Sequence, residues 1–478
     1  MTWETPRRTL LILTALLPLC AQGPPSTPDR PWHSPEEQRV ANDGRRLRQV
    51  PFRIEPDRVY SLPELIDLAE SHNPETMVSW ENARAQAAAL GVARSELFPT
   101  LSAVALSGVD RVEVPFGSQF YRQTLPAFQA SLDLNYTIFD FGARRGRIDA
   151  ASARLLAANF LFNDVHRRVI YQVQQAYYRL LNASGQEVAA RASLANAQAV
   201  QQAAEERLRN GLATLPDVLE ARSASAQALY ELQAILGTEE IARGDLATAM
   251  GTSATTVIRV QPLSEVPNPG SISENVEQAI YRGLDQRPDL LADVTGVRLA
   301  NAQRREALAA FYPSLSLGLT TNAQSSYMLQ QQLPWGHTAA LTGGLAMSLT
   351  WNMFDGGARR SRLAEAEARI RSAEAQVSAT QDRIENEVWT AYSHLVTAFR
   401  QREAATSLLE AANQSYAAAL ESYGFGVRNL VDVTAAQKVL AQARSADVLA
   451  RTQVLSTLAD LAFRTGDAIQ PTARRPHP

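Results

Sequence analysis

From Phe128 the chain alternates strictly. Phe128, Ala130, Leu132, Leu134, Tyr136 and Ile138 fall on one side, and Gln129, Ser131, Asp133, Asn135 and Thr137 on the other. A period of two with polar partners predicts a strand with one apolar face. The pattern returns as Leu345, Met347, Leu349, Trp351 and Met353 against Ala346, Ser348, Thr350 and Asn352. A shorter alternation follows Pro313, with Leu315, Leu317 and Leu319 against Ser314, Ser316 and Thr320; its counterpart after Pro99 is less clean. Strands are therefore expected at about 101–114, 127–139, 313–322 and 341–354, with Gly/Pro/Gln-containing loops at 112–126 and 322–340 joining each pair. Helical spacing follows each second strand, with Val169, Val173, Ala176 and Leu180 in one stretch and Ile384, Val388, Ala391 and Leu395 in the other. Proline is absent from 142–215 and from 356–469. Small apolar seams with polar outer faces predict long helices packed side by side, at 142–209, 217–250, 357–423 and 432–464.

These elements form a tandem duplication. Glu96-Leu97-Phe98-Pro99-Thr100-Leu101-Ser102 matches Ala310-Phe311-Tyr312-Pro313-Ser314-Leu315-Ser316, and Asn73-Pro74-Glu75 matches Arg287-Pro288-Asp289 at the same offset. With one residue gained, Phe139-Asp140-Phe141-Gly142-Ala143-Arg144-Arg145 matches Phe354-Asp355-Gly356-Gly357-Ala358-Arg359-Arg360. Asn210-Gly211-Leu212 through Asp217-Val218 matches Phe425-Gly426-Val427 through Asp432-Val433. Four landmarks in constant phase define one unit used twice, at 60–265 and 266–467. Glycines near 211 and 424–426 punctuate a turn between the two long helices of each copy.

Four strands do not close a barrel, since the smallest common ones have about eight. Strands of this length with one apolar face suit a lipid-facing wall, and an open edge does not persist in lipid. Copies of the chain must then complete the sheet, with eight strands from a dimer or twelve from a trimer. The competing arrangement is a soluble two-hairpin sheet on a helical bundle. Tyr136 and Trp351 near strand ends favour the membrane.

The 478 residues are 45% hydrophobic and 20% charged with a net charge of −3, which argues against a protein built to hold nucleic acid. No apolar run approaches the ~18–20 residues of a spanning helix. Arg7 and Arg8 precede the apolar run Thr9–Leu19, so residues 1–20 predict an export signal. The single cysteine, Cys20, ends that run and is a lipidation candidate, although Leu19 stands where a lipoprotein box wants a small residue. Residues 21–59 are expected to be a tether or irregular wrap, and 468–478 a disordered tail. There is no HExxH, paired CxxC, Walker A loop or GxGxxG, and His72, His166, His337 and His394 lack ligand spacing. The expectation is no enzyme, no metal and no cofactor.

The FxPTLS-type element, the FDxGARR element, the turn ending in Asp-Val and the duplicated layout together resemble the TolC-type outer-membrane efflux proteins over nearly all of 60–465. The resemblance implies an α+β membrane protein. Three chains would build a homotrimeric, twelve-stranded β-barrel in outer-membrane lipid, continued by a periplasmic coiled-coil α-barrel. It implies an exit duct for efflux or type I secretion, with a periplasmic adaptor and an inner-membrane transporter as partners. Asp217, Tyr423, Arg428 and Asp432 match the family's gate positions; Ala435 stands where the family often has a second acid, and Pro216 replaces a more usual polar residue. Charge-assisted bonds of Tyr423 or Arg428 to Asp217 would form the latch, and three copies of Asp432 an acidic ring. Arg209, Gly211 and Leu212 on one turn, with Gly424, Gly426 and Val427 on the other, would present the adaptor-docking surface. The rival reading is a secreted or periplasmic coiled-coil scaffold without a channel.

Overall fold

The computed structural model describes residues 37–47, 52, 54–55, 57–262, 275–330 and 336–467. The export signal, Cys20, most of the tether and the 468–478 tail lie outside the described residues. The chain divides into a segment up to Phe52 and a body from Arg53 onward. The described part of the first contains helix α1 (Glu37–Arg46), where a tether or irregular wrap is expected.

In the body, β1 (Val59–Tyr60) precedes α2 (Leu62–His72) and α3 (Pro74–Ser95). The hairpin β2 (Thr100–Phe116) and β3 (Gln119–Phe139) follows, then the long helices α4 (Ala143–Arg209) and α5 (Leu215–Ala249) and the short β4 (Arg259–Val260). The second copy repeats the order as α6 (Val276–Gln286), α7 (Pro288–Ala309), β5 (Ser314–Gln330), β6 (Gly336–Thr350), α8 (Ala358–Gly424) and α9 (Leu430–Thr465). Both α4 and α8 have 67 residues, roughly 100 Å at 1.5 Å per residue. Among the described residues, no helix is long and apolar enough to cross a membrane.

The strands exceed their expected lengths. Most of the expected loop at 112–126 is strand, with Pro115 on the outer strand β2 and Pro126 within β3. A proline cannot donate to a ladder, and β3–β5 pairing skips Leu125 and Pro126 while resuming at Ala127↔Ser326. At the other end β6 stops at Thr350, short of the expected 354, because its partner β5 begins at Ser314 after Pro313. The pairs Thr100↔Asn135 and Ser314↔Thr350 are equivalent, and neither hairpin slips in register, so the residue gained by the second copy falls between its last paired positions, Met328 and Gly336.

The sheet runs β2-β3-β5-β6 and is antiparallel throughout. Its register carries Leu101, Leu134, Leu319 and Leu345 across one face in a row, with Ser102, Asp133, Thr320 and Gly344 opposite. Leu101 and Leu345 are exposed. Among the described residues, the outer strands β2 and β6 each have an unpaired edge.

The FDxGARR element turns strand into helix. Asp140 accepts the Arg144 backbone N–H at 2.8 Å and its Nε at 3.1 Å, and Arg144 Nη2 donates back to the Ile138 carbonyl. Asp355 and Arg359 repeat this, reaching the Met353 carbonyl. Aromatic side chains gather at this junction: Phe141 stacks on Tyr312 at 4.8 Å, and Trp351 donates to the Phe311 carbonyl. Below it α4 packs on α5, α7 and α9, and α8 on α9, α7 and α6. Buried residues of these seams are mostly Ala, Val and Leu.

Candidate functional site: the two helical turns

The α4–α5 and α8–α9 turns meet at one end of the body. Val200 and Ala204 of α4, Val218 and Ala221 of α5, Ala419 and Tyr423 of α8, and Leu430 and Val433 of α9 share one buried cluster. Both turns begin with the same helix stop. Gly211 has φ +75° and Gly426 has φ +77°. Leu212 N–H donates to the Arg207 carbonyl and Gly211 N–H to Leu208; Val427 N–H donates to Ser422 and Gly426 N–H to Tyr423. This is a Schellman cap, and glycine takes its left-handed position without a Cβ penalty. Gly424 differs, since it is the last residue of α8 and has no positive φ.

The following helices start differently. Thr214 precedes α5, and Asp217 accepts from both its backbone N–H (2.8 Å) and its hydroxyl (2.7 Å). Those two bonds hold the Asp217 carboxyl below its ordinary pKa. Asn429 precedes α9 and caps it through its own side chain, accepting the Asp432 N–H at 2.9 Å. Asp432 is thus free of cap duty, and its carboxylate is exposed. The duplicated acids carry different tasks because their caps differ.

Tyr423 is 7% exposed. Burial raises its phenol pKa; Arg207 lowers it and Asp217 raises it slightly further. No hydrogen bond joins Tyr423 to Asp217, and the Tyr423 hydroxyl has no partner within the described residues. Arg428 is exposed and has no side-chain partner among them. The structure therefore brings Tyr423 and Asp217 near each other, and leaves Arg428 and Asp432 on the surface.

Sequence reasoning missed Arg207. Its Nη1 donates to the Tyr423 carbonyl at 2.9 Å and the Gly424 carbonyl at 3.3 Å, and its guanidinium lies 4.7 Å from the Tyr423 ring centre. The duplication held the clue: Arg207-Leu208 aligns with Ser422-Tyr423, a break in an otherwise matched turn. Missed too was the apolar character of the tips. Leu212, Leu215 and Leu219 are exposed on one, and Phe425, Val427 and Val431 on the other. Arg209 projects beside the first tip, 3.8 Å from Glu206.

Among the described residues, no group of acidic, histidine or cysteine side chains could hold a metal ion. The family model described as outer membrane efflux protein matches residues 65–252 and 279–467. The chain is 28% identical over 310 residues to protein CyaE of Bordetella pertussis, covering 65% of this chain and 64% of that one. It is 27% identical over 317 residues to outer membrane protein OprJ of Pseudomonas aeruginosa, covering 64% and 63%. The chain thus spans just under two thirds of the length of these curated relatives. A crystal structure of a membrane protein from Pseudomonas aeruginosa superposes with a TM-score of 0.75 at 25% identity, over 85% of this chain and 93% of that chain. With both halves of the duplication matched in order, the chain belongs to the outer membrane efflux protein family.

Proposed function

We propose that three copies of this chain form an exit duct in the bacterial outer membrane, passing cargo outward from a periplasmic adaptor and an inner-membrane transporter. The observation that carries the reading is the sheet: four strands, one row-by-row apolar face, and an unpaired edge at each side. Such edges in lipid are tolerated only when paired. Three copies supply twelve strands, and the junction aromatics fit an interfacial girdle. Each copy would comprise the two units 60–265 and 266–467, following a signal at 1–20 and a tether at 21–59.

The helices continue the duct through the periplasm, and the paired turns form its gate. Arg428 is exposed without a side-chain partner among the described residues, so the link that closes the gate runs from it to Asp217 of a neighbouring copy, while buried Tyr423 lies near Asp217 of its own copy. Asp432 lines the mouth as an acidic ring that favours cations. The exposed apolar tips with Arg209, Gly211, Leu212, Gly424, Gly426 and Val427 dock the adaptor. The duct performs no catalysis, and the energy for transport comes from the transporter. The test is planar-bilayer recording of the detergent-purified protein. Trimers with stepwise conductance are expected, and Tyr423→Phe with Arg428→Ser is expected to raise it. A water-soluble monomer without conductance overturns the channel; an inserted double variant with unchanged conductance overturns the gate assignment.

A further inference from the structure

The last carbonyls of a helix lack intrahelical partners and carry the negative end of its dipole. At the end of α8 two of these carbonyls, Tyr423's (which also accepts the Gly426 N–H) and Gly424's, accept from a single side chain of the other copy of the duplication, Arg207 of α4. The same guanidinium covers the face of the Tyr423 ring at 4.7 Å. Arg207 Nε and the Tyr423 hydroxyl are both buried without partners, so the junction is held by the carbonyl bonds and the stacking, not by the phenol oxygen. The contact runs one way. Position 422, the equivalent of Arg207, is serine, and position 208, the equivalent of Tyr423, is leucine. Near the tips, Thr434 Oγ1 on α9 to Glu220 Oε1 on α5, at 3.2 Å, also joins the hairpins. That is a single bond with its charge on the acceptor, whereas Arg207 brings a charged donor that holds two carbonyls and covers a ring.

We propose that Arg207 is the clamp that positions the α8–α9 tip against the α4–α5 tip, and that releasing it frees the second hairpin to move. In the channel reading, on which this consequence rests, the clamp biases each copy toward the closed gate from inside the protomer, independently of links between copies. Arg207 touches no cargo; it acts through the backbone end of α8.

The test uses the full chain with Cys20→Ser. Spin labels are placed at the exposed positions Leu212→Cys and Val427→Cys, and labelled copies are diluted with unlabelled ones. A single narrow distance is expected with Arg207 present. Arg207→Gln should broaden and lengthen it, and Arg207→Lys, which keeps the charge but not the planar fork, should restore it in part. In bilayers, Arg207→Gln should raise the opening equilibrium of each copy about tenfold, the loss of roughly one charge-assisted bond in that copy. Arg428→Ser should add to it. An unchanged tip distance in Arg207→Gln overturns the clamp, whether or not the protein conducts. A broadened distance in a protein that never conducts keeps the clamp and overturns the channel. If Arg207→Gln is not recovered folded, Arg207→Lys alone decides, since a distance identical to the wild type overturns the proposal.

Discussion

Replacing Arg287 with methionine should destabilise the helical body by about 3 kcal/mol. The Arg287 side chain is 4% exposed at the start of α7. It forks onto Asp289 at 3.0 and 2.7 Å and reaches Glu387 of α8 at 2.6 Å. Around this centre Arg383 bonds Asp289 at 3.0 Å and Glu387 at 3.1 Å, and Arg464 of α9 meets Glu387 at 3.1 Å. Buried Arg167 of α4 pairs with Asp164 at 2.6 Å and donates to the Phe463 carbonyl at 2.8 Å. Four helices are thus tied through alternating charges. Removing one partner of a buried pair costs about 3–5 kcal/mol, because the remaining charge is stranded. Arg383 and Arg464 still serve both carboxylates, which places the cost at the low end. Arg383→Met is the control: its side chain is 48% exposed, and solvent screening limits its loss to about 1 kcal/mol.

The same network fixes an acid response. Burial alone would raise the Asp289 and Glu387 pKa values, but Arg287 and its neighbours outweigh it and hold both below the ordinary carboxylate range. A carboxylate whose folded pKa is depressed stabilises fully above its unfolded pKa near ~4, and that stability drains as pH falls toward the folded value. The wild-type body should therefore resist acid until below pH ~4, and Arg287→Met should begin to unfold at higher pH. Both effects are read from helical circular dichroism of the detergent-solubilised protein in denaturant and acid titrations. A loss under about 1 kcal/mol with an unshifted acid onset would show that the network is solvated and refute the reasoning.

At the tips, Gly426→Ala should cost about 1 kcal/mol because its φ is +77°, whereas Gly424→Ala should be neutral or stabilising, being helical with nothing within 4 Å of an added Cβ; equal thermal shifts for the two would contradict the cap assignment. On the sheet, Leu345→Arg places a charge in the row shared with Leu101, Leu134 and Leu319, at about 2–4 kcal/mol if that row faces the bilayer midplane. The amount of inserted, heat-modifiable trimer should fall, and an undiminished yield would mean that this face does not meet lipid.

What the sequence made legible follows from how local each signal is. The alternation at Phe128–Ile138 and the seam at Val169–Leu180 are repeated patterns, so β3 and α4 could be placed before any contact was known. The ends of strands depend on partners. Pro126 reads as a loop residue until β5 is seen to leave a gap opposite it, and β6 ends where Pro313 ends its partner. Helices α3 and α7 escaped notice because their buried positions, such as Thr76, Ala83 and Leu90, recur only every seven residues and are not strongly apolar; their matched prolines register only as a landmark of the duplication. The turns were placed by glycine spacing, and the Schellman bonds explain why that spacing works. The side chains that join the turns were a different matter. An arginine one turn from a helix end has the signature of a solvated surface residue, and the bond that makes Arg207 more than that goes to backbone atoms, which leave no trace in residue type. Duplication supplies the missing information by subtraction. Positions alike in both copies, such as Asp140 and Asp355, do the same structural work twice. Positions that differ mark where the copies were assigned separate tasks: Thr214 ties down Asp217 while Asn429 leaves Asp432 exposed, and Arg207 reaches across while Ser422 does not. Comparing the halves of one chain therefore shows where its two turns differ in task, which residue type alone does not.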